Sequence, residues 1–185
     1  MPVKTSDIIF ILTILVMSWL ISFPMNEWFS ETMPRHQILQ LPAMLVLGII
    51  SGVRFSKHII IGFAWGIAIL IFILSSLIFW MLPHSIDYAV INTPFNRLMH
   101  VNMLISGFLL IPVLRNTLSE IKIIFLGMLS AMVIATGFTL LSYNLLLCSS
   151  FNIEQQKEAG LQLVIIGLTV FASTIFIFFR GAGRS

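Results

Sequence analysis

Imidazole, thioether and thiol groups are the side chains of this sequence most suited to chemistry. The chain contains four histidines, ten methionines and a single cysteine, Cys148. Imidazole nitrogen and thioether sulfur together form a ligand set that suits copper, and thioether sulfur suits cuprous copper in particular. Methionine is also ordinary filler in apolar helices, so packing is the alternative interpretation for each methionine. The single cysteine excludes an intramolecular disulfide and CxxC redox chemistry.

Two polar pairs with helical spacing favour a site. His36 and Gln40 form one pair, and Asn96 and His100 form the other, with Met103 one turn further on. Residues four apart share a helix face. A polar side chain inside a membrane span usually faces the interior of the helix bundle, which makes it a candidate for function. The alternative is that the amides only join helices through hydrogen bonds.

Asp87 is the acidic residue expected nearest to these pairs, just after a short run at residues 80–83 that ends a helix. It has three possible roles: orienting a histidine ligand, pairing with Arg35 or Arg97, or capping the following loop. The chain has no HExxH motif, no nucleophile elbow and no paired catalytic carboxylates. We therefore predict that the protein is not an enzyme.

The elements that must position these residues follow from composition. The chain has 185 residues, of which 58% are hydrophobic and 9% charged, and its mean hydropathy is +1.05. Such a chain needs a bilayer as its solvent, and lipid requires every backbone polar group to be paired within a helix or a closed barrel. The sequence predicts one all-α integral membrane domain, a bundle of about six transmembrane helices. The predicted spans are residues 8–23, 37–53, 59–82, 98–114, 121–147 and 161–179.

Basic residues predict the orientation of this bundle in the cell membrane. Seven lie on one side of the predicted spans and three on the other, which favours cytoplasmic N and C termini by the positive-inside rule. The seven are Lys4, Arg54, Lys57, Arg115, Lys122, Arg180 and Arg184, and the three are Arg35, Arg97 and Lys157. His36, His84, His100, Met81 and Met103 then fall toward the outer face. The basic residues are scattered singly, so nucleic acid is not an expected partner.

The sequence resembles, at a distance, the CtaG-like membrane proteins that assist copper-site assembly in cytochrome c oxidase. That family carries a W-H-L-P-x-x-Y-D-x-A-L stretch, and residues 80–90 here read WMLPHSIDYAV, which keeps the Trp, Leu-Pro, Asp and Ala in register. The family's two histidine pairs, spaced four apart, correspond to His36 with Gln40 and to Asn96 with His100. Its D-Q-Q motif corresponds to residues 154–156, EQQ. The resemblance covers residues 35–167 in patches.

The resemblance implies a copper site in which Met81 replaces one histidine and amides replace two others. Methionine remains a good cuprous ligand, whereas an amide is a poor copper ligand. The residues predicted for this site are His36, His100, Met81 and Met103 as metal ligands, and Asp87, Gln40 and Asn96 as residues that orient them.

Three functions are compatible with the sequence. The first is an accessory or assembly factor that handles copper at the outer face for a copper-containing respiratory oxidase complex. The second is a metal-free structural subunit, packed against other membrane subunits of an oxidase or a copper-dependent membrane monooxygenase. The third is a redox subunit with a b-type haem held by His36 and His100. Copper is the predicted cofactor of the first alone.

Overall fold

The computed structural model describes residues 5–142 and 146–182, and within these two ranges it contains helices and no strand. The predicted all-α class is confirmed. The helices are α1 (Thr5–Ser22), α2 (Asn26–Ser30), α3 (Leu41–Phe55), α4 (Phe63–Met81), α5 (Pro83–Ile91), α6 (Thr93–Asn116), α7 (Ser119–Ser142) and α8 (Ile153–Ala182). A π-helical segment, Arg35–Gln40, leads directly into α3, and a 3₁₀ turn, Ser56–His58, follows α3.

Six of these helices are long and apolar enough to cross a bilayer, as the composition predicted. They are α1, the π-helical segment with α3, α4, α6, α7 and α8. The two remaining helices, α2 and α5, have only five and nine residues and connect spanning helices. The chain is therefore a multi-pass membrane protein by the length and hydropathy of its helices.

The ends of α7 and α8 differ from the predicted span boundaries. The helix α8 begins at Ile153 rather than near residue 161, and the Asn152 side chain accepts a hydrogen bond from the Gln155 backbone N–H at 2.8 Å. The helix α7 ends at Ser142, before the predicted end at residue 147, and part of that prediction, residues 143–145, lies outside the described residues. Lys4 and Arg184, used to predict orientation, also lie outside them. Hydropathy marks only the lipid-facing part of a helix, whereas capping groups set its ends.

Glycines bring the spanning helices into contact in pairs. A Cβ atom on Gly48 of α3 would overlap the Leu104 carbonyl oxygen of α6, and a Cβ atom on Gly107 would overlap the Leu45 carbonyl oxygen. Further along, Gly52 faces Phe108, so α3 and α6 run in the same direction. Small residues at such crossings let helix backbones touch and gain van der Waals contact, which replaces the hydrophobic effect in lipid. This crossing fixes α3 against α6; α6 carries His100, and the π-helical segment that leads into α3 carries His36.

The helix α1 packs loosely beside this core. None of its residues is buried, and the ion pair between Asp7 and Arg54 of α3, at 2.8 Å, ties one end of it to the bundle. The other end of α1 leads into α2, and α2 leads to the π-helical segment. We call the end of the bundle where α3 and α6 begin the polar end.

Candidate metal centre

His36 lies in the π-helical segment and is fully buried, at 0% exposure. Pro42 has no N–H, so it cannot donate the backbone hydrogen bond that a regular α-helix would form there. The N–H of the preceding residue, Leu41, donates to the His36 carbonyl, five residues back. Such π-helical turns are often found at functional sites. The turn buries three polar residues together, His36, Gln37 and Gln40.

His100 lies on the buried face of α6, at 2% exposure. Its helix begins with a cap in which the Asn92 side chain accepts a hydrogen bond from the Phe95 N–H at 3.0 Å, and Pro94 occupies the first turn. Six residues at intervals of three or four are buried along one stripe of α6: Asn96, Met99, His100, Met103, Ser106 and Gly107. This spacing is that of a helix face packed against a neighbour. Both predicted residues of α6, His100 and Met103, therefore point into the bundle.

A chain of amide hydrogen bonds orients His36. Its Nδ1 lies 2.7 Å from the Gln40 Oε1, and the Gln40 Nε2 donates to the Asn26 Oδ1 at 3.0 Å. The Asn96 Nδ2 of α6 also donates to the Asn26 Oδ1. An amide oxygen only accepts, so the Nδ1 of His36 carries the hydrogen and its Nε2 carries a free lone pair. The predicted pair of His36 and Gln40 is thus formed, and it holds one tautomer.

Within the described residues, several buried polar atoms around these amide hydrogen bonds have no hydrogen-bond partner. They are the Nε2 of His36, the Oδ1 of Asn96, both ring nitrogens of His100 and both amide atoms of Gln37. A buried polar atom without a partner costs about 1 to 3 kcal/mol. The Nε2 of His36 and the Oδ1 of Asn96 are pure acceptors, and a neutral His100 adds a third lone pair. A cation or a donating water can satisfy these lone pairs, whereas the Gln37 amide nitrogen and the other ring nitrogen of a neutral His100 are donors.

Two thioether side chains lie on the same buried stripe of α6 as His100. Met99 and Met103 are fully buried, and they pack in one apolar cluster with Leu41 and Met44 of α3. Met81, the other predicted soft ligand, lies in a second cluster with Met33 and Cys148. The structure thus brings Met103 onto the face of His100, and it packs Met81 with a different group of side chains.

Asp87 does not contact either histidine. Its carboxylate accepts hydrogen bonds from the Ser149 N–H at 2.6 Å, the Ser149 hydroxyl at 3.1 Å and the Ser150 N–H at 3.0 Å. Of the three roles open to it from the sequence, the loop cap is the one formed. Gln156 holds the same loop, because its side chain accepts from the Leu147 N–H at 3.1 Å and donates to the Cys148 carbonyl at 3.3 Å.

This loop seals Cys148 from water. The thiol is fully buried and its sulfur donates to the Pro83 carbonyl at 3.6 Å. Burial, with a smaller contribution from the nearby Asp87 carboxylate, raises the pKa of the Cys148 thiol from 9.0 to about 12. Because the thiolate is the nucleophile, Cys148 is expected to be inert near neutral pH.

We expect native protein in detergent to resist maleimide labelling of Cys148 at pH 8. At that pH a thiol with this pKa is ionised in about one molecule in 10,000. The Asp87→Asn variant loses a negative charge beside the sulfur and weakens the cap, so both effects favour labelling, and the rate should rise at least about tenfold. Mass spectrometry of the labelled chain gives the rate, and denatured protein supplies the unprotected reference. Rapid labelling of the native protein would contradict this account.

Two residues of the polar end were not predicted as part of the site. Asn26 joins the two amide pairs, and Gln37 adds two unpartnered polar atoms. The sequence feature that could have indicated Gln37 is its position next to His36 at the start of an apolar span. Asn26 gave no such signal, because its partners lie 14 and 70 residues away.

The residues present fit a soft metal ion better than a hard one. Among the described residues, no group of three or more His, Cys, Asp and Glu side chains gathers as a cage. Zinc and hard cations favour such cages. Imidazole and thioether, the donor types of His36, His100, Met99 and Met103, suit cuprous copper instead.

No protein-family model matches the chain, and no curated protein or solved structure is significantly similar to it.

Proposed function

We propose that the protein is a non-enzymatic membrane accessory factor that holds cuprous copper at the polar end of its bundle for a copper-containing oxidase complex. His36 and His100 bind the ion through ring nitrogen, and Met103 and Met99 supply thioether sulfur. The polar end faces outward from the cell membrane in this proposal, and both termini are cytoplasmic. Arg54, Lys57, Arg115 and Lys122 near the opposite end support this orientation.

The buried lone pairs of His36 and His100, which have no hydrogen-bond donor among the described residues, are the observation that carries the proposal. A site made only to join helices would pair each acceptor with a donor, since unpaired polar atoms destabilise a membrane bundle. Here the Nε2 of His36 and both ring nitrogens of His100 have no partner. Gln40 fixes the tautomer of His36 that leaves the Nε2 lone pair available. Metal-binding histidines commonly have their other ring nitrogen held in this way.

The role in copper-site assembly rests on the resemblance of residues 80–90, and of the two amide-substituted pairs, to the CtaG-like family. A site with few ligands also suits transfer, because each ligand can be exchanged in turn. A b-type haem has less support, because α3 and α6 touch at Gly48 and Gly107 and leave little space between the helices that would hold it. Copper is the cargo of the protein in this account, and the chain itself performs no reaction.

Replacing Met99 and Met103 by leucine tests whether thioether sulfur selects copper. Leucine has nearly the same volume as methionine, so the fold should persist with a loss below about 1.5 kcal/mol for each substitution. We expect the affinity for cuprous copper to fall by about tenfold or more. The measurement is competition against a chromophoric cuprous chelator, under reducing conditions and in detergent.

Met81→Leu is the matched control, because Met81 is also buried but lies in the second apolar cluster. It should bind copper as tightly as the native protein. An equal loss of affinity in Met81→Leu would contradict the ligand assignment. Native protein that retains no copper after cuprous loading and desalting would contradict the proposed function itself.

Chemical crosslinking in native membranes tests the proposed partner. Recovery of subunits of a copper-containing oxidase with this chain would support the assembly role. Recovery of the chain alone, from membranes in which that oxidase is being made, would argue against it. The experiment is independent of copper affinity, so it separates metal binding from the role in assembly.

A further inference from the structure

Asn26 connects three elements at the polar end. It is the first residue of α2, which lies between two of the spanning helices and crosses no membrane itself. Its side-chain oxygen accepts one hydrogen bond from Gln40, at the start of α3, and a second from Asn96 of α6. Each of these donors lies one helical turn from a buried histidine: Gln40 from His36, and Asn96 from His100.

The directions of these hydrogen bonds link Asn26 to the tautomer of the His36 ring. The Gln40 amide must present its nitrogen to Asn26 in order to present its oxygen to the Nδ1 of His36. Without Asn26, the Gln40 Nε2 in this orientation would keep only one hydrogen bond, the longer one to the Ile21 carbonyl, at 3.3 Å. A rotated amide would offer N–H to the ring, and His36 would then carry its hydrogen on Nε2. The nitrogen available for a metal ion would be lost.

We propose that Asn26 is a positioning residue that fixes the metal-binding tautomer of His36, and that α2 thereby regulates metal affinity at the polar end. The inference rests on the proposed function for its metal. Movement of α2 away from the bundle breaks both bonds at once and releases the two amides beside the two histidines. Because coupling between two sites is reciprocal, metal binding must in turn hold α2 in place.

Two substitutions of Asn26 separate positioning from packing. Asn26→Asp keeps an oxygen that accepts both hydrogen bonds, whereas Asn26→Leu has a similar shape and no acceptor. Outer partners of metal ligands typically change affinity by about 10- to 100-fold. We expect Asn26→Leu to lower cuprous affinity by that factor and Asn26→Asp to retain it within about threefold. Asn102→Leu is the matched control, because the Asn102 side chain on α6 accepts from Trp80, at 3.0 Å, and bonds to no other described residue.

A measurement without metal tests the tautomer directly. Nitrogen-15 chemical shifts of the His36 ring, assigned with a His36→Gln sample, should report hydrogen on Nδ1 in the native protein and in Asn26→Asp. In Asn26→Leu the shifts should report hydrogen on Nε2 or a mixture. An unchanged tautomer in Asn26→Leu would overturn the inference, and this result does not depend on whether the native protein binds copper.

Hydrogen exchange tests the link to α2. Cuprous loading of the native protein should slow exchange of the amides of residues 26–30 by at least about threefold, and it should have no such effect in Asn26→Leu. Equal protection in both proteins would overturn the regulatory part of the inference. Failure of the native protein to take up copper would instead count against the proposed function, while the nitrogen-15 result would still decide the role of Asn26.

Discussion

Replacing both His36 and His100 by alanine is expected to remove copper retention. After cuprous loading and desalting, the native protein should keep close to one copper per chain, and the double variant should keep less than about a tenth of that. The reason is that the thioethers of Met99 and Met103 bind too weakly alone to hold the ion against a reducing buffer. Metal analysis of the purified protein, normalised to chain concentration, gives the result.

His84→Ala is the control for this experiment. His84 is an exposed histidine on α5, so its removal should leave copper content unchanged. A second double variant, with asparagine in place of both histidines, keeps polar side chains and fills more of the space, but amides remain poor copper ligands. Circular dichroism and gel filtration show whether each variant is folded. Copper retained at the native level by folded double variants would refute the assignment of the two histidines.

Alanine at Gly48 or Gly107 is expected to destabilise the bundle strongly. Each new Cβ atom would overlap a backbone carbonyl oxygen of the facing helix, and a backbone atom cannot rotate away as a side chain can. Overpacking of a well-packed core costs about 1 to 3 kcal/mol. Here α3 and α6 must move apart along their whole crossing, so we expect each variant to lie at or above the upper end of that range.

Gly127→Ala is the matched control for the crossing. Gly127 lies within α7, and a Cβ atom there would meet nothing within 4 Å. Alanine favours a helix over glycine by about 0.5 to 1 kcal/mol, so this variant should unfold at the native midpoint or slightly later. Thermal unfolding in detergent, followed by circular dichroism, compares the three variants. Equal midpoints would contradict the close helix contact.

The same two variants should also bind copper less tightly, because α6 carries His100 and the π-helical segment continuous with α3 carries His36. Displacement of one helix changes the distance between them, and small errors in ligand position are costly for a metal site. A variant that unfolds early yet binds copper at native affinity would show that the polar end keeps its geometry independently of the crossing.

Local features of the protein were determined by the sequence. The predictions of an all-α chain and of about six spans are confirmed, because a chain with 58% hydrophobic residues must pair its backbone within helices once it is in lipid. The contact between His36 and Gln40 also follows from spacing alone, since residues four apart on a helix are neighbours. These features depend on properties of one segment at a time.

Tertiary structure decided which distant residues meet at the polar end. The bond between Asn26 and Asn96, the loop cap formed by Asp87 and the separation of Met81 from Met103 all join segments far apart in the chain. No periodicity within one segment specifies such contacts. These contacts depend on how closely the helix backbones approach each other, and small residues such as Gly48 set that distance. They also depend on which amide side chains find a hydrogen-bond partner once the helices are packed.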